Sequence, residues 1–398
     1  MLLSNYKVNY KNYREKKTVT LYLLFEFFSY FCLIEQFFSS FLAYSNYSLT
    51  WISAFLLIYQ VTKFVFEIPT GFVADKYGRK ASGYIGAILL IMSYVLLLTD
   101  NRVLFVISFF TRGMSITFTS GSIESIAVEN ISAEAIERLS IIRRIIMYIS
   151  TATAAILAGF IIKKINYNIV ILVDIIVSLL ALLTITFIDE DKISRFNNTS
   201  DNISLIESLH LLKGSKIIIL LLLMDCSAAF AFIGSENLYP AFLEQLGIGA
   251  DIVGLFISAQ LVLAAIFGLV ARKIVLNVNK AFLLYILPPI GIFIIGIVYA
   301  FELPLILIPI IFTTRYILMS VYTPIKYSLF QQNVTDRYRA TFISYASQAV
   351  SFGGIIFYGF SSLLSNVFEI NEVLLLATIL SFIAVSGCCI KLWKMNAL

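Results

Sequence analysis

Long, nearly uncharged runs recur along the chain, at about 18–44, 51–73, 82–99, 103–127, 140–162, 168–188, 216–242, 251–271, 281–301, 303–330, 340–364 and 372–393. Each is close to the roughly 20 apolar residues that a helix needs to cross a bilayer. The runs are too long and too continuous for the alternating strands of about ten residues that build an outer-membrane barrel. The polar segments between them are short and leave no room for a sizeable soluble domain. The pattern predicts an all-α integral membrane protein with twelve transmembrane helices.

Composition agrees with that reading. Of 398 residues, 60% are hydrophobic and 13% charged, and the mean hydropathy is +0.91. A soluble domain carries about 25% charged residues, so this chain lacks the polar surface to face water on all sides. The net charge of +5 reads as topology rather than as affinity for nucleic acid. Lys7, Lys11, Arg14, Lys16 and Lys17, the loops after spans two, four, six, eight and ten, and Lys391 and Lys394 hold 22 of the 29 lysines and arginines. The alternate loops hold only Arg102, Lys163 and Lys164. The positive-inside rule then puts both termini in the cytoplasm, which requires an even number of spans. The first apolar run is too long for a cleaved signal peptide and contains Glu26 and Glu35, so a retained first span is expected. Cys32, Cys226, Cys388 and Cys389 all fall inside spans, where apolar packing is the expected role.

The chain also repeats itself. Gly71-Phe72-Val73-Ala74-Asp75-Lys76 after span two returns as Gly268-Leu269-Val270-Ala271-Arg272-Lys273 after span eight, and Thr111-Arg112 in span four returns as Thr314-Arg315 in span ten. Glu129-Asn130-Ile131 is answered by Gln332-Asn333-Val334. Such internal symmetry marks a six-plus-six duplication. The expected organisation is two pseudo-symmetric six-helix bundles, 1–188 and 216–398, joined by a polar cytoplasmic linker at 189–215. That linker holds His210, for which a solvated position is expected, and an amphipathic segment with Ile203, Ile206, Leu209 and Leu212.

The segment from Glu67 to Lys80, with Gly71, Asp75, Gly78, Arg79 and Lys80 at the expected places, resembles the signature loop between helices two and three of the major facilitator superfamily. Glu67-Ile68-Pro69-Thr70-Gly71 and Ser120-Gly121-Ser122-Ile123-Glu124 are further similar to a bacterial, efflux-like group within it. The resemblance implies twelve helices, with spans one, four, seven and ten around a cavity. It also implies that the loop acts as a cytoplasmic latch, a role that falls on Asp75 and Arg79. On physical grounds Gly71 allows close helix approach, Gly78 a tight turn, and Asp75 either a pairing with Arg79 four residues on or a place at the positive N-terminus of a facing helix. In the second half Arg272 replaces the aspartate, so any latch there is degenerate. Span five, Thr153 to Phe160, lacks the Gly-Pro pair of twelve-span drug–proton antiporters, and Ser115 and Ile116 depart from the antiporter pattern after Arg112.

Charges inside spans cost about 2.5–3.5 kcal/mol each on insertion scales and are functional candidates by default. Here they are Glu26 and Glu35 in span one, Arg112 and Glu124 in span four, Asp225 and Glu236 in span seven, and Arg315 and Lys326 in span ten. Glu26 and Glu35 are nine residues apart and so lie on opposite faces of a continuous helix, with only one expected to face the cavity. Asp225 and Glu236 are eleven apart and share a face. Arg112 and Arg315 are expected to pair with membrane carboxylates, and one of Glu26, Glu35 or Asp225 to carry a coupling proton. Glu124 and Lys326, nearer the cytoplasmic ends, are candidates for the cavity and also for the gate.

No nucleophile or metal constellation suggests an enzyme, and no Walker motif suggests a nucleotide-driven pump. No cofactor or metal is expected. The expectation is a monomeric secondary transporter in a bacterial cytoplasmic membrane, whose partners are lipid, a small-molecule substrate and a proton or other coupling ion. Proton-coupled export of an amphipathic drug or metabolite is the first reading. Transport of an anionic metabolite steered by Arg112 and Arg315 is the alternative, and a non-transporting sensor the third.

Overall fold

The computed structural model describes residues 13–99, 101–129, 131–190, 215–277, 280–332 and 339–395. Most of the expected linker, with His210, and the Asn333-Val334 repeat partner lie outside the described residues. The first span comprises a helix Tyr13–Tyr30, a 3-10 turn Ile34–Phe37 and a helix Phe38–Tyr44. The second is Leu49–Tyr77, the third Arg79–Leu97, the fourth Arg102–Thr119 continued by Ser122–Val128, the fifth Ala133–Lys164 and the sixth Tyr167–Phe187. The seventh to twelfth are Lys216–Gln245, Ala250–Asn277, Lys280–Ala300, Leu307–Gln332, Arg339–Leu364 and Ile370–Lys394. Eleven are long and apolar enough to cross a membrane, and the tenth contributes the shorter apolar stretch Leu307–Thr323. The chain is thus a multi-pass, all-helical membrane protein, and no strand occurs among the described residues.

Short polar residues set the helix boundaries. The side chains of Asn101, Ser132, Asn166 and Ser215 each accept from a backbone N–H in the first turn of spans four, five, six and seven, satisfying donors that a helix start leaves open. Glu369 and Glu372 form a reciprocal capping box at the start of span twelve. Gly78, between spans two and three, has φ of 107°, which a residue with a Cβ rarely adopts, so the expected tight turn is present.

The chain separates into two compact units. The first contains Met1–Phe41, Val61–Asn198 and Ile248–Ser258. A core of this unit packs Val19, Tyr22 and Phe25 of span one against Ala87, Ile123, Ile126, Leu139, Ala181 and Ile185. The start of span eight belongs to this unit because small residues let it lie directly against span five. A Cβ on Gly159 would stand 2.4 Å from the Ala250 carbonyl oxygen, and one on Gly254 would stand 2.3 Å from that of Ala155. Lys163 Nζ and Asp251 Oδ2, 2.7 Å apart, close the end of this seam.

The second unit contains Leu42–Gln60, Thr199–Gly247 and Ala259–Leu398. Its core joins Leu221 and Met224 of span seven to Leu284, Ile292, Tyr322, Ile325, Leu329, Val385, Cys389 and Leu392. The outer part of span two joins it through Ser53 and Ser361, whose hydroxyls lie 2.8 Å apart. Thr50 and Ser365 make a second such contact at 2.9 Å. All four cysteines are free thiols, and three are buried.

Candidate functional site

Within the first unit, a cavity of about 440 Å³ is bordered by spans one, three, four, five and six. Its charged lining is Glu26, Glu35, Arg112, Glu124 and Arg143. Arg112 Nη2 pairs with Glu35 Oε2 at 3.0 Å, and the arginine is 4% exposed while its glutamate is 39% exposed. The guanidinium carbon lies over the rings of Phe38 and Tyr94, at 4.7 and 5.2 Å from their centroids, so aromatic faces complete its shielding. Arg143 bridges two further carboxylates. It contacts Glu26 Oε2 at 2.7 Å and Glu124 Oε2 at 3.2 Å. The cavity therefore gathers three carboxylates and two guanidinium groups in alternating pairs.

Two features of this site differ from the sequence reading. Glu26 and Glu35 line the same cavity, although nine residues on a continuous helix would oppose them. The first span is not continuous: helical structure stops at Tyr30 and resumes as a 3-10 turn at Ile34, which resets the register between the two glutamates. The buried carboxylate of Asp174 in span six accepts from the Leu33 and Ile34 N–H groups at 2.7 and 2.8 Å. Arg143, counted from its position among the basic topology residues, instead reaches into the cavity because span five begins as early as Ala133. Neither Asp174 nor Arg143 stood out in sequence, yet Asp174 is the one charged residue in the otherwise uncharged span Tyr167–Phe187, which is the signal that marks it. Glu124, a candidate for the cavity as well as for the gate, lines the cavity and is paired with Arg143.

In the second unit the span seven and span ten charges meet as a ladder. Asp225 Oδ1 accepts from Lys326 Nζ at 2.7 Å, and Glu236 pairs with Arg315. The partners are eleven residues apart on both helices and run in opposite order, as two antiparallel helices with shared faces require. Lys326 is therefore held by Asp225. Arg315 is 5% exposed and Glu236 is 39% exposed, the same asymmetry as at Arg112 and Glu35. Rings of Phe232 and Tyr316 each lie 4.5 Å from the Arg315 guanidinium carbon, and its Nε and Nη1 have no hydrogen-bond acceptor among the described residues. The expected pairing of both repeat-related arginines with membrane carboxylates is present.

The signature loop is arranged differently from its sequence reading. Gly71 is exposed, and a Cβ there would meet nothing within 4 Å among the described residues. Asp75 is exposed and makes no ion pair with Arg79. Instead Arg79 Nη1 lies 3.9 Å from Glu129, and its backbone N–H donates to Glu190 Oε1 at 2.8 Å. Lys80 Nζ donates to the carbonyls of Thr186 and Ile188 at 2.9 and 2.6 Å. These bonds fix the loop to the end of span six, whose last carbonyls attract a cation. No group of three or more His, Cys, Asp or Glu side chains suited to a metal ion occurs among the described residues.

Comparisons with known proteins follow this geometry. No curated protein sequence matches the chain. Among solved structures it is similar to a D-xylose–proton symporter, at TM-score 0.76 and 16% identity over 96% of this chain and 97% of that one. A variant of the nucleoside transporter NupG gives TM-score 0.76 and 14% identity over 93% and 98%. A bacterial homolog of the human lysosomal transporter Spinster gives 0.69 and 15% over 97% and 96%. At such identities these likenesses establish the fold alone, and substrate does not follow from fold. The sequence profile of the Major Facilitator Superfamily matches residues 19–358. With twelve spans, an internal repeat and this profile over most of its length, the chain belongs to the major facilitator superfamily and is a membrane transporter.

Proposed function

We propose that the protein is a proton-coupled exporter of small amphipathic molecules bearing an amine, working by alternating access in a bacterial cytoplasmic membrane with both termini in the cytoplasm. One observation carries this reading: in the Arg112–Glu35 pair the cation is sealed in and the carboxylate is turned toward the cavity. A ligand in that space meets carboxylates first. An ammonium group and a proton then compete for Glu35, and whichever binds weakens its hold on Arg112. Competition of two cations for one carboxylate is sufficient to couple their movements in opposite directions. Glu35 is favoured over Glu26 and Asp225 for this role because those two are 8% exposed and held by Arg143 and Lys326. The signature loop, with Asp75 and Arg79, is assigned the cytoplasmic latch.

Proteoliposomes with purified protein and a trapped pH dye test the proposal against a panel of cationic, neutral and anionic compounds. Proton movement driven by amphipathic amines is expected. A second reading, transport of an anionic metabolite, is supported by the Arg315 Nε and Nη1 donors that lack acceptors among the described residues, and proton movement with anions alone would replace the first reading by it. Silence across the panel from folded, inserted protein would support a non-transporting relative.

A further inference from the structure

The break in the first span has no sequence cause. Tyr30-Phe31-Cys32-Leu33-Ile34 contains neither glycine nor proline, the usual sources of a sharp interruption. An uninterrupted helix would bond the Leu33 N–H to the Ser29 carbonyl and the Ile34 N–H to the Tyr30 carbonyl. Both ends of each bond are instead supplied from elsewhere. The two N–H groups donate to the two oxygens of Asp174, at 2.7 and 2.8 Å. The Ser29 carbonyl accepts from Cys32 Sγ at 3.0 Å, and the Tyr30 carbonyl from Thr151 Oγ1 at 3.4 Å. Ser150 Oγ adds a bond to the Phe27 carbonyl at 2.6 Å. In lipid an unmet backbone group costs several kcal/mol, so a break persists only where such partners are built in.

Asp174 is 1% exposed and sits on span six, outside the ion pairs that line the cavity. We propose that Asp174 is a positioning residue whose carboxylate clamps the break in the first span and thereby sets Glu35 against Arg112. Only the interrupted helix turns Glu26 and Glu35 onto one cavity, and the segment after the break carries both Glu35 and Phe38, two of the groups that meet Arg112. The clamp thus reaches the ion pair through the backbone. This inference rests on the placement of Glu35 and Arg112 and is independent of the substrate and of the direction of transport.

A membrane-permeant carbodiimide, which reacts with protonated carboxyl groups, tests it on the full-length chain in nanodiscs. The extent of Glu35 labelling is followed by mass spectrometry at one fixed pH in the unaltered protein and in Asp174→Asn, whose amide accepts one of the two N–H bonds and opposes the other. The remaining charged groups on the cavity, Glu26, Glu124 and Arg143 beside Arg112, are the same in both proteins. Loss of the Arg112 contact is expected to raise Glu35 labelling several-fold, because the carboxyl is freed from its guanidinium partner. An unchanged extent of labelling, whatever the effect on melting, would reduce Asp174 to packing and overturn the proposal. A second measurement needs no variant: amide hydrogen exchange at Leu33 and Ile34 is expected to be as slow as in the body of the first span. Exchange at both as fast as in solvent-exposed loops would equally overturn the clamp.

Discussion

Adding a single methyl group at two glycines should have opposite effects. At Gly159 a Cβ would stand 2.4 Å from the Ala250 oxygen and 3.1 Å from both the Ala250 carbonyl carbon and Asp251 Cα. All three are backbone atoms of span eight, so no side chain can rotate away. Ordinary contact begins at 3.4 Å, so Gly159→Ala requires the two helices to separate by about 1 Å at a seam of interlocked small residues. Overpacking of this kind costs about 1–3 kcal/mol, against which removing a helical glycine returns about 0.5–1 kcal/mol. The expected net loss is about 1–2 kcal/mol. At Gly71, inside the second span, a Cβ meets nothing within 4 Å, and Gly71→Ala should gain up to about 1 kcal/mol. The assay is SDS-induced unfolding of the purified chain in mixed micelles, read by the emission of Trp51 and Trp393. A Gly159→Ala protein at least as stable as the parent would refute the close seam between spans five and eight, and a destabilised Gly71→Ala would refute the open surroundings of the signature loop.

Three further outcomes follow from the ion pairs. Glu35→Ala should destabilise the protein more than Arg112→Gln, because it takes the carboxylate from a guanidinium that is 4% exposed whereas the arginine change leaves a carboxylate open to the cavity; the same unfolding titration ranks the two, and the reverse order would contradict the burial asymmetry. Lys326→Ala should be strongly destabilising, and adding Asp225→Asn should recover most of the loss, since the cost is an unpaired buried carboxylate; a double mutant no better than the single would show that the pair is not isolated. Lys163→Ala should cost at most about 1 kcal/mol, since the lysine is 57% exposed, and a larger melting shift would mean that the seam depends on this bridge rather than on its small residues.

The spans were legible because a bilayer demands long apolar helices and little else in this chain competes with that signal. The repeat placed Arg112 and Arg315 at related positions, and helical periodicity placed Asp225 and Glu236 on one face, as their antiparallel pairing with Lys326 and Arg315 bears out. Periodicity failed for Glu26 and Glu35 because the break between them is imposed by Asp174, 140 residues away from Ile34 along the chain. No local residue announces it. Arg143 was read as a topology charge because its neighbours in sequence, Arg138 and Arg144, are basic as well, and only the path of span five shows which of them turns inward. The signature loop was recognisable by its residues, but its contacts, from Arg79 to Glu129 and Glu190 and from Lys80 to the end of span six, depend on neighbours that no motif encodes.

The account centres on Glu35 as the carboxylate where proton and substrate compete. Its most direct test compares two fluxes in proteoliposomes of Glu35→Gln, which keeps an acceptor for Arg112 but cannot ionise. One is exchange of an amphipathic amine already shown to move protons with the parent protein, and the other is proton movement driven by a gradient of that amine. The account predicts that coupled proton movement is lost and that amine exchange is weakened with it, since the ammonium loses the carboxylate for which it competes. Proton movement at the parent rate in Glu35→Gln would contradict it and transfer the coupling role to another carboxylate.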